Sequence, residues 1–234
     1  MEDSEYVQYQ VDLVICIDVT ASMNDLLEGT KRDALGFPER LEREANAKRK
    51  SVRDLRVKVI PFRDLGSEGS EAIWSSPWFE LPRQLTDFGI FVNNLSARGG
   101  DDEPESALEA FWFAMNSSWR ERGSKRRSIV LLMTDASAHP LGTHYYELEQ
   151  QAFPTPKDFY ELKKRWGCEG EQKESIFGGD NFNSRRLVLL APDCMPWNDI
   201  GEQFERTLWV PTEAGAGLSE LEWDEICKRI IESV

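Results

Sequence analysis

The chain has 234 residues, of which 40% are hydrophobic, and a formal net charge of −14. This length and apolar content predict a folded domain with a substantial core and exclude an intrinsically disordered chain. The acidic balance argues against nucleic-acid partners and against an anionic membrane face, because both require a surface rich in Lys and Arg. No apolar run approaches the roughly 20 residues of a membrane-spanning helix. The acidic start MEDSEYVQYQ is unlike a signal peptide.

In chain order, the first half of the sequence alternates predicted strands and helices. Continuous apolar runs predict strands covered on both faces, and an alternating run predicts an edge or half-covered strand. Leucines and phenylalanines at helical spacing predict amphipathic helices. The predicted elements are a strand at Val11–Asp18, a helix from Asn24 to about Lys50, an alternating strand at Leu55–Asp64 and a helix at Leu85–Ser96.

The second half continues the same alternation, and two of its apolar runs also end near an aspartate. The Gly-rich and polar stretch Trp166–Ser184 predicts a long, mobile loop. In order, we expect a helix at Pro104–Glu121, a strand from Arg127 that ends at Thr134 and Asp135, a helix at Pro156–Trp166, a strand from Arg185 that ends near Asp193, a short strand at Thr207–Pro211 and a helix at Leu218–Ile231.

Alternation of strands and helices implies a parallel sheet with helices packed on both faces. We therefore predict a single α/β domain over residues 1–234, with a doubly wound, mostly parallel central sheet. Between two predicted segments, the stretch AIWSSPWFEL carries Trp74 and Trp78. We expect these tryptophans in the core, with an exposed contact surface as the alternative.

The four cysteines, Cys16, Cys168, Cys194 and Cys227, are widely spread and form no C-x-x-C pair. This usage is typical of reduced thiols in a cytoplasmic protein. A disulfide between Cys168 and Cys194 is the alternative.

Oxygen-bearing side chains follow several of these elements at the edge where ligands bind in doubly wound sheets. Asp18, Thr20 and Ser22 follow the first strand at alternate positions, and Asp135 follows a later one. A third loop, RGGDDEPES, carries two aspartates before a predicted helix. Oxygen-only ligands suit a hard divalent cation, so we predict Mg²⁺, with Mn²⁺ or Ca²⁺ as alternatives.

The strings D-x-T-x-S, GGDDEPE and LLMTDASAH resemble, in order, the three loops of the metal-ion-dependent adhesion site of von Willebrand factor type A domains. PFRD (61–64) and LTDF (85–88) match similar strings of an intracellular bacterial branch, and the resemblance covers essentially the whole chain. It implies that Thr20 and Ser22 bind the ion through their hydroxyls, and that Asp18 and Asp135 act through water. The second-loop ligand would be Asp102, with Asp101 as the rival if the turn is shifted by one residue.

Many members of that family have threonine at the second-loop position, so a third carboxylate would weaken attraction to an acidic partner side chain. A structural or regulatory ion is then favoured. The resemblance implies a non-catalytic, Mg²⁺-dependent protein–protein interaction module in a larger intracellular assembly, such as a bacterial stress or defence system. Its partners would be an AAA+ ATPase, a protease or a kinase and phosphatase pair.

Three competing interpretations of these residues remain. Thr20, Ser22 or Asp102 would act only as helix N-caps. His139 and His144 would form a zinc pair, although their Pro/Gly loop does not favour this. For a Ser-His-Asp hydrolase, neither histidine has a clear orienting acid. The carboxylates and Mg²⁺ would serve a hydrolase or phosphoryl-transfer enzyme, which we disfavour because the sequence has no G-x-S-x-G motif and no P-loop lysine.

Overall fold

The centre of the protein is a sheet in the strand order β3-β2-β1-β4-β5-β6. It is seen in a computed structural model that describes residues 6–100, 104–121, 123, 125–143, 156–168, 183–219 and 221–234. All neighbouring strands run parallel except β3, which is antiparallel to β2. The strands are β1 (Val7–Asp18), β2 (Lys50–Phe62), β3 (Phe79–Leu81), β4 (Arg126–Met133), β5 (Arg185–Pro192) and β6 (Thr207–Thr212).

Helices connect these strands and cover both faces of the sheet. They are α1 (Asn24–Asp33), α2 (Phe37–Ala47), α3 (Leu65–Glu68), α4 (Leu85–Asn93), α5 (Ala107–Met115), α6 (Phe159–Trp166), α7 (Trp197–Gln203) and α8 (Trp223–Ser233). None of the helices in the described part of the chain is long and apolar enough to cross a membrane.

Alternate side chains of β1 divide the core into two layers. Leu13 and Ile15 face a cluster that includes residues of α1, α2, α4 and α8. Val14 and Cys16 face a second cluster, which includes residues of α5, α6 and α7. The predicted doubly wound α/β sheet is therefore confirmed. Its central strands read as continuous apolar runs because both of their faces are buried.

The prediction of one continuous helix from Asn24 to about Lys50 is wrong. A short 3-10 turn at Ala34–Gly36 separates α1 from α2. Pro38 lies in the first turn of α2, where its missing N–H costs nothing, whereas in the middle of one long helix it would break a hydrogen bond.

The predicted start of the helix at Pro104 is also wrong, because α5 begins at Ala107 and ends at Met115. The backbone of Glu105 is used elsewhere: its N–H donates to Ser137 O, and its carbonyl accepts from His139 N. This short parallel bridge joins the second loop to the segment after β4, so the helix begins only beyond it.

Other boundaries moved by a few residues, and three short elements were missed. The last helix begins at Trp223 and not at Leu218, and α4 ends at Asn93. Strand β3 and helices α3 and α7 were not predicted, since three, four and seven residues are too few for a clear period. Cys168 and Cys194 form no disulfide, and Cys16, Cys168 and Cys227 are buried thiols. Most of the loop expected at Trp166–Ser184 lies outside the described residues.

Candidate metal centre

The ends of β1 and β4 place two aspartates side by side at the carboxyl edge of the sheet. The two strands are adjacent and parallel, with Ile17 opposite Met133. Asp18 is the last residue of β1, and Asp135 follows β4 by two residues. Thr134, between them, donates its hydroxyl to Asp18 Oδ2 at 2.7 Å and ties the two strand ends together.

Two hydroxyl–carboxylate hydrogen bonds and one close contact between the hydroxyls link the first loop to Asp135. Asp18 Oδ1 accepts from the backbone N–H of Thr20 at 2.9 Å and from its hydroxyl at 2.6 Å. The hydroxyls of Thr20 and Ser22 lie 3.3 Å apart. Ser22 Oγ then donates to Asp135 Oδ1 at 3.0 Å. Four of the five predicted ligands thus converge, although the side chains lie on two separate loops.

Helix capping does not account for the arrangement. Thr20 occupies the position before a short 3-10 turn but makes no capping hydrogen bond with its side chain, and the residue before α1 is Met23. At the second loop, the position before α5 is Ser106 and not Asp102. The capping interpretation of these residues is therefore wrong.

The two carboxylates are buried without a cationic side chain. Asp18 is 0% exposed and Asp135 is 1% exposed. Among the described residues, neither forms a salt bridge with a Lys, Arg or His, whereas the buried Asp12 pairs with both Arg56 and Arg120. Burial raises the pKa of Asp18 to about 6, the nearby charge of Asp135 adds to this, and the hydrogen bonds from Thr20 and Thr134 oppose it. Buried carboxylates are normally paired with a cation or bound to a metal.

The spacing of the oxygen atoms fits a hard, octahedral cation. Ligand distances of 2.0–2.1 Å in an octahedron place neighbouring oxygens about 2.9 Å apart. The Ser22 Oγ to Asp135 Oδ1 distance is 3.0 Å, and the Thr20 to Ser22 hydroxyl distance is 3.3 Å. The described part of the chain holds no group of three His, Cys, Asp or Glu side chains suited to a metal. The two hydroxyls would have to complete the donor set.

Two glycines bring the second loop against the first. Gly99 and Gly100 have φ values of 71° and 76°, a left-handed conformation that glycine adopts without strain. Gly99 O accepts from Ala21 N at 3.1 Å. A Cβ on Gly100 would lie 2.7 Å from Thr20 Cβ, so only glycine permits this approach. Asp101 and Asp102, which follow at once, lie outside the described residues, and their roles stay predictions.

A fourth segment, which we did not expect from the sequence, completes the surroundings of Asp135. The N–H of Gly217 donates to Asp135 Oδ2 at 2.8 Å, and the N–H of Gly215 donates to Asp135 O at 2.8 Å. Both glycines have positive φ values. The motif GAG at 215–217 indicates a tight turn in the sequence. It does not indicate that this turn contacts the end of a strand about 80 residues earlier in the chain.

A buried polar cluster lies beside the second loop. His139 Nε2 is 3.0 Å from Asp64 Oδ1, so the expectation that His139 has no orienting acid is wrong. Although burial opposes it, hydrogen bonds from Gly66 and Ser67 and the neighbouring His139 lower the pKa of Asp64. Burial raises the pKa of Glu109, on α5, to about 8, and the charge of Asp64 adds to this. His144, the other half of the zinc alternative, lies outside the described residues.

Comparisons with known proteins agree on the fold and leave the family open. No family model matches the chain. A curated relative, alpha-protein kinase vwkA of Dictyostelium discoideum, is 26% identical over 138 residues, which are 59% of this chain and 20% of the relative. The crystal structure of pilus adhesin SpaC from Lactobacillus rhamnosus GG covers 95% of this chain and 30% of its own, with a TM-score of 0.52 and 11% identity. The chain thus spans about a fifth of the length of the curated relative, and the likeness to SpaC concerns the fold alone.

Proposed function

We propose that this chain is a non-catalytic, Mg²⁺-dependent protein–protein interaction module of the von Willebrand factor A type. The observation that carries the proposal is the pair of buried aspartates, Asp18 and Asp135, which have no cationic side-chain partner among the described residues and each accept a hydrogen bond from a hydroxyl. A divalent cation is the partner that such an oxygen cluster fits best.

In this proposal, the hydroxyls of Thr20 and Ser22 bind the ion directly, and Asp18 and Asp135 bind it through water. Asp18 accepts both the N–H and the hydroxyl of Thr20, which orients the first loop. The hydrogen bond of Gly217 to Asp135 fixes the second carboxylate. When bound, the ion supplies a concentrated positive charge at the edge of an acidic chain, and Asp102 would moderate that charge.

The comparison with the Dictyostelium kinase supports the module part of the proposal. The matched region makes up only 20% of that relative, so the relative carries such a region within a much longer chain. By analogy, we propose that our protein is an intracellular module that works beside a larger partner. An AAA+ ATPase, a protease or a kinase and phosphatase pair, in a bacterial stress or defence system, remains the proposed partner class.

Affinity capture with the metal removed and restored tests this function. Tagged protein would be incubated with lysate of its own host in Mg²⁺ and in EDTA, and Ser22→Ala would serve as the matched variant. We expect a specific set of proteins that is retained in Mg²⁺ and lost in both EDTA and the Ser22 variant. If the retained proteins are the same in all three conditions, the interaction does not depend on the metal.

A Mg²⁺-dependent hydrolase or phosphoryl-transfer enzyme is the second candidate, and one observation favours it. The Asp64–His139 pair has the geometry of an oriented general base, with His139 19% exposed by its side chain. The kinase named by the curated match also belongs to an enzyme class, although the match covers only part of this chain.

A screen with generic phosphatase and esterase substrates in Mg²⁺ or Mn²⁺ separates the two candidates. The interaction module predicts no turnover above that of the Asp18→Ala variant. Turnover that is lost in both Asp18→Ala and His139→Gln would favour the enzyme.

A further inference from the structure

Three cations, Arg56, Lys58 and Arg63, lie in the second half of β2 and just beyond its end. Two of them, Arg56 and Arg63, are satisfied in the same way, by a carboxylate and a tryptophan ring. Arg56 pairs with Asp12 and lies 4.5 Å from the ring centroid of Trp78.

Arg63 shows the same arrangement just beyond the end of β2. It pairs with Glu68 at 2.6 Å and lies 5.1 Å from the ring centroid of Trp74. The stretch that carries both tryptophans therefore lines this side of the sheet, with each ring half-buried.

Lys58 lies between these two arginines and differs from both. In the described part of the chain it has no carboxylate within 4.0 Å and no hydrogen-bond partner, although its side chain is only partly exposed. It lines a cleft of 150 Å³ between β2 and the end of α5, where Trp74, Ile73 and Phe113 form the apolar part of the lining and Asn116 and Ser117 form part of the polar rest. Burial lowers the pKa of Lys58 from its usual value.

We propose that this cleft binds a small monocarboxylate with a flat apolar body, whose carboxylate pairs with Lys58. The apolar walls suit the body of the ligand, and the unpaired ammonium suits its charge. One lysine balances a single negative charge, which favours a monocarboxylate over a phosphate monoester. The volume equals that of about five water molecules at ~30 Å³ each, which is the size of a small aromatic acid.

The site is separate from the metal centre. Lys58 lies four residues before the end of β2, whereas the candidate metal ligands follow the ends of β1 and β4. The protein would therefore bind a small molecule at a site that does not depend on the proposed Mg²⁺ ion.

Calorimetric titration with phenylacetate tests the proposal, with phenylacetamide as the neutral probe of the same shape. We expect phenylacetate to bind with a Kd of about 1 mM or tighter, and both the amide and the Lys58→Met variant to lose affinity at least tenfold. The control is Lys228→Met, which removes a lysine from α8 on the opposite face of the sheet and should bind as the unmodified protein does.

NMR of the unmodified protein keeps the test decisive if Lys58→Met does not fold. With labelled lysines, phenylacetate should shift the Cε signal of Lys58 and leave that of Lys228 in place. Equal affinity for the acid and the amide would overturn the proposal, as would the absence of binding by phenylacetate and benzoate at about 10 mM.

Discussion

Replacing Gly217 with alanine should cost far more stability than the same change at Gly215, two residues earlier in the same loop. Both residues have left-handed backbones, with φ values of 60° and 69°. A Cβ in this conformation costs about 1–2 kcal/mol at either position. At Gly215 nothing lies within 4 Å of the new Cβ, so this strain is the whole expected cost.

At Gly217 the new Cβ would lie 2.1 Å from the carbonyl oxygen of Ser22, so the loop must move. Movement breaks the hydrogen bond from Gly217 N to the buried carboxylate of Asp135. A hydrogen bond to a charged group contributes about 1.5–3 kcal/mol. The expected total for Gly217→Ala is therefore about 2.5–5 kcal/mol, against about 1–2 kcal/mol for Gly215→Ala.

Thermal unfolding measures the difference directly. For a domain of this size, each kcal/mol lowers the Tm by about 2–4 °C, so the extra loss of about 1.5–3 kcal/mol should make Gly217→Ala unfold about 3–12 °C below Gly215→Ala. The Gly217 variant should also show a smaller rise in Tm when Mg²⁺ is added, because Asp135 is no longer held in place. Equal Tm values for the two variants would refute the role that we assign to the contact with Ser22.

Three further predictions concern the ion and one buried acid. Adding Mg²⁺ to EDTA-treated protein should raise the Tm, and Ser22→Ala should reduce the rise; an unchanged Tm at millimolar Mg²⁺ would contradict the metal site. Asp102→Thr should weaken Mg²⁺ binding in calorimetry, because a hard cation then loses an anionic ligand. Asp101→Asn should weaken binding much less, and the reverse order of the two effects would place the ligand at Asp101. The raised pKa of Glu109, about 8, means that the native state keeps a proton that the unfolded chain releases from about pH 4.5. Stability should therefore fall by up to ~4 kcal/mol as pH rises from about 4.5 to 8, and urea unfolding of Glu109→Gln should show a clearly flatter profile.

Much of the candidate site could be predicted from sequence because its residues sit at strand ends. Asp18 and Asp135 each follow an apolar run, and parallel strands bring their carboxyl ends to one edge. Thr20 and Ser22 follow the first strand at alternate positions, and the structure places their hydroxyls 3.3 Å apart. Their role as metal ligands stays a prediction.

Boundaries of helices were harder to predict, because long-range hydrogen bonds competed with local preference. Pro104 is a good first residue for a helix, yet the helix begins at Ala107. The competing partner is the segment at Ser137 and His139, which holds the backbone of Glu105 in a bridge. Such a partner cannot be seen in a local window of sequence.

The sequence by itself determined the alternation of elements and the edge at which oxygen-bearing side chains gather, because periodicity and the order of elements are properties of the chain read along its length. Only the tertiary structure decided which distant groups meet. It paired His139 with Asp64, brought Gly217 to Asp135 and left Lys58 without an acidic partner in the part of the chain that is described. These relations depend on how loops from different strands pack at an edge, and a buried charge is satisfied or left unpaired only by neighbours in space.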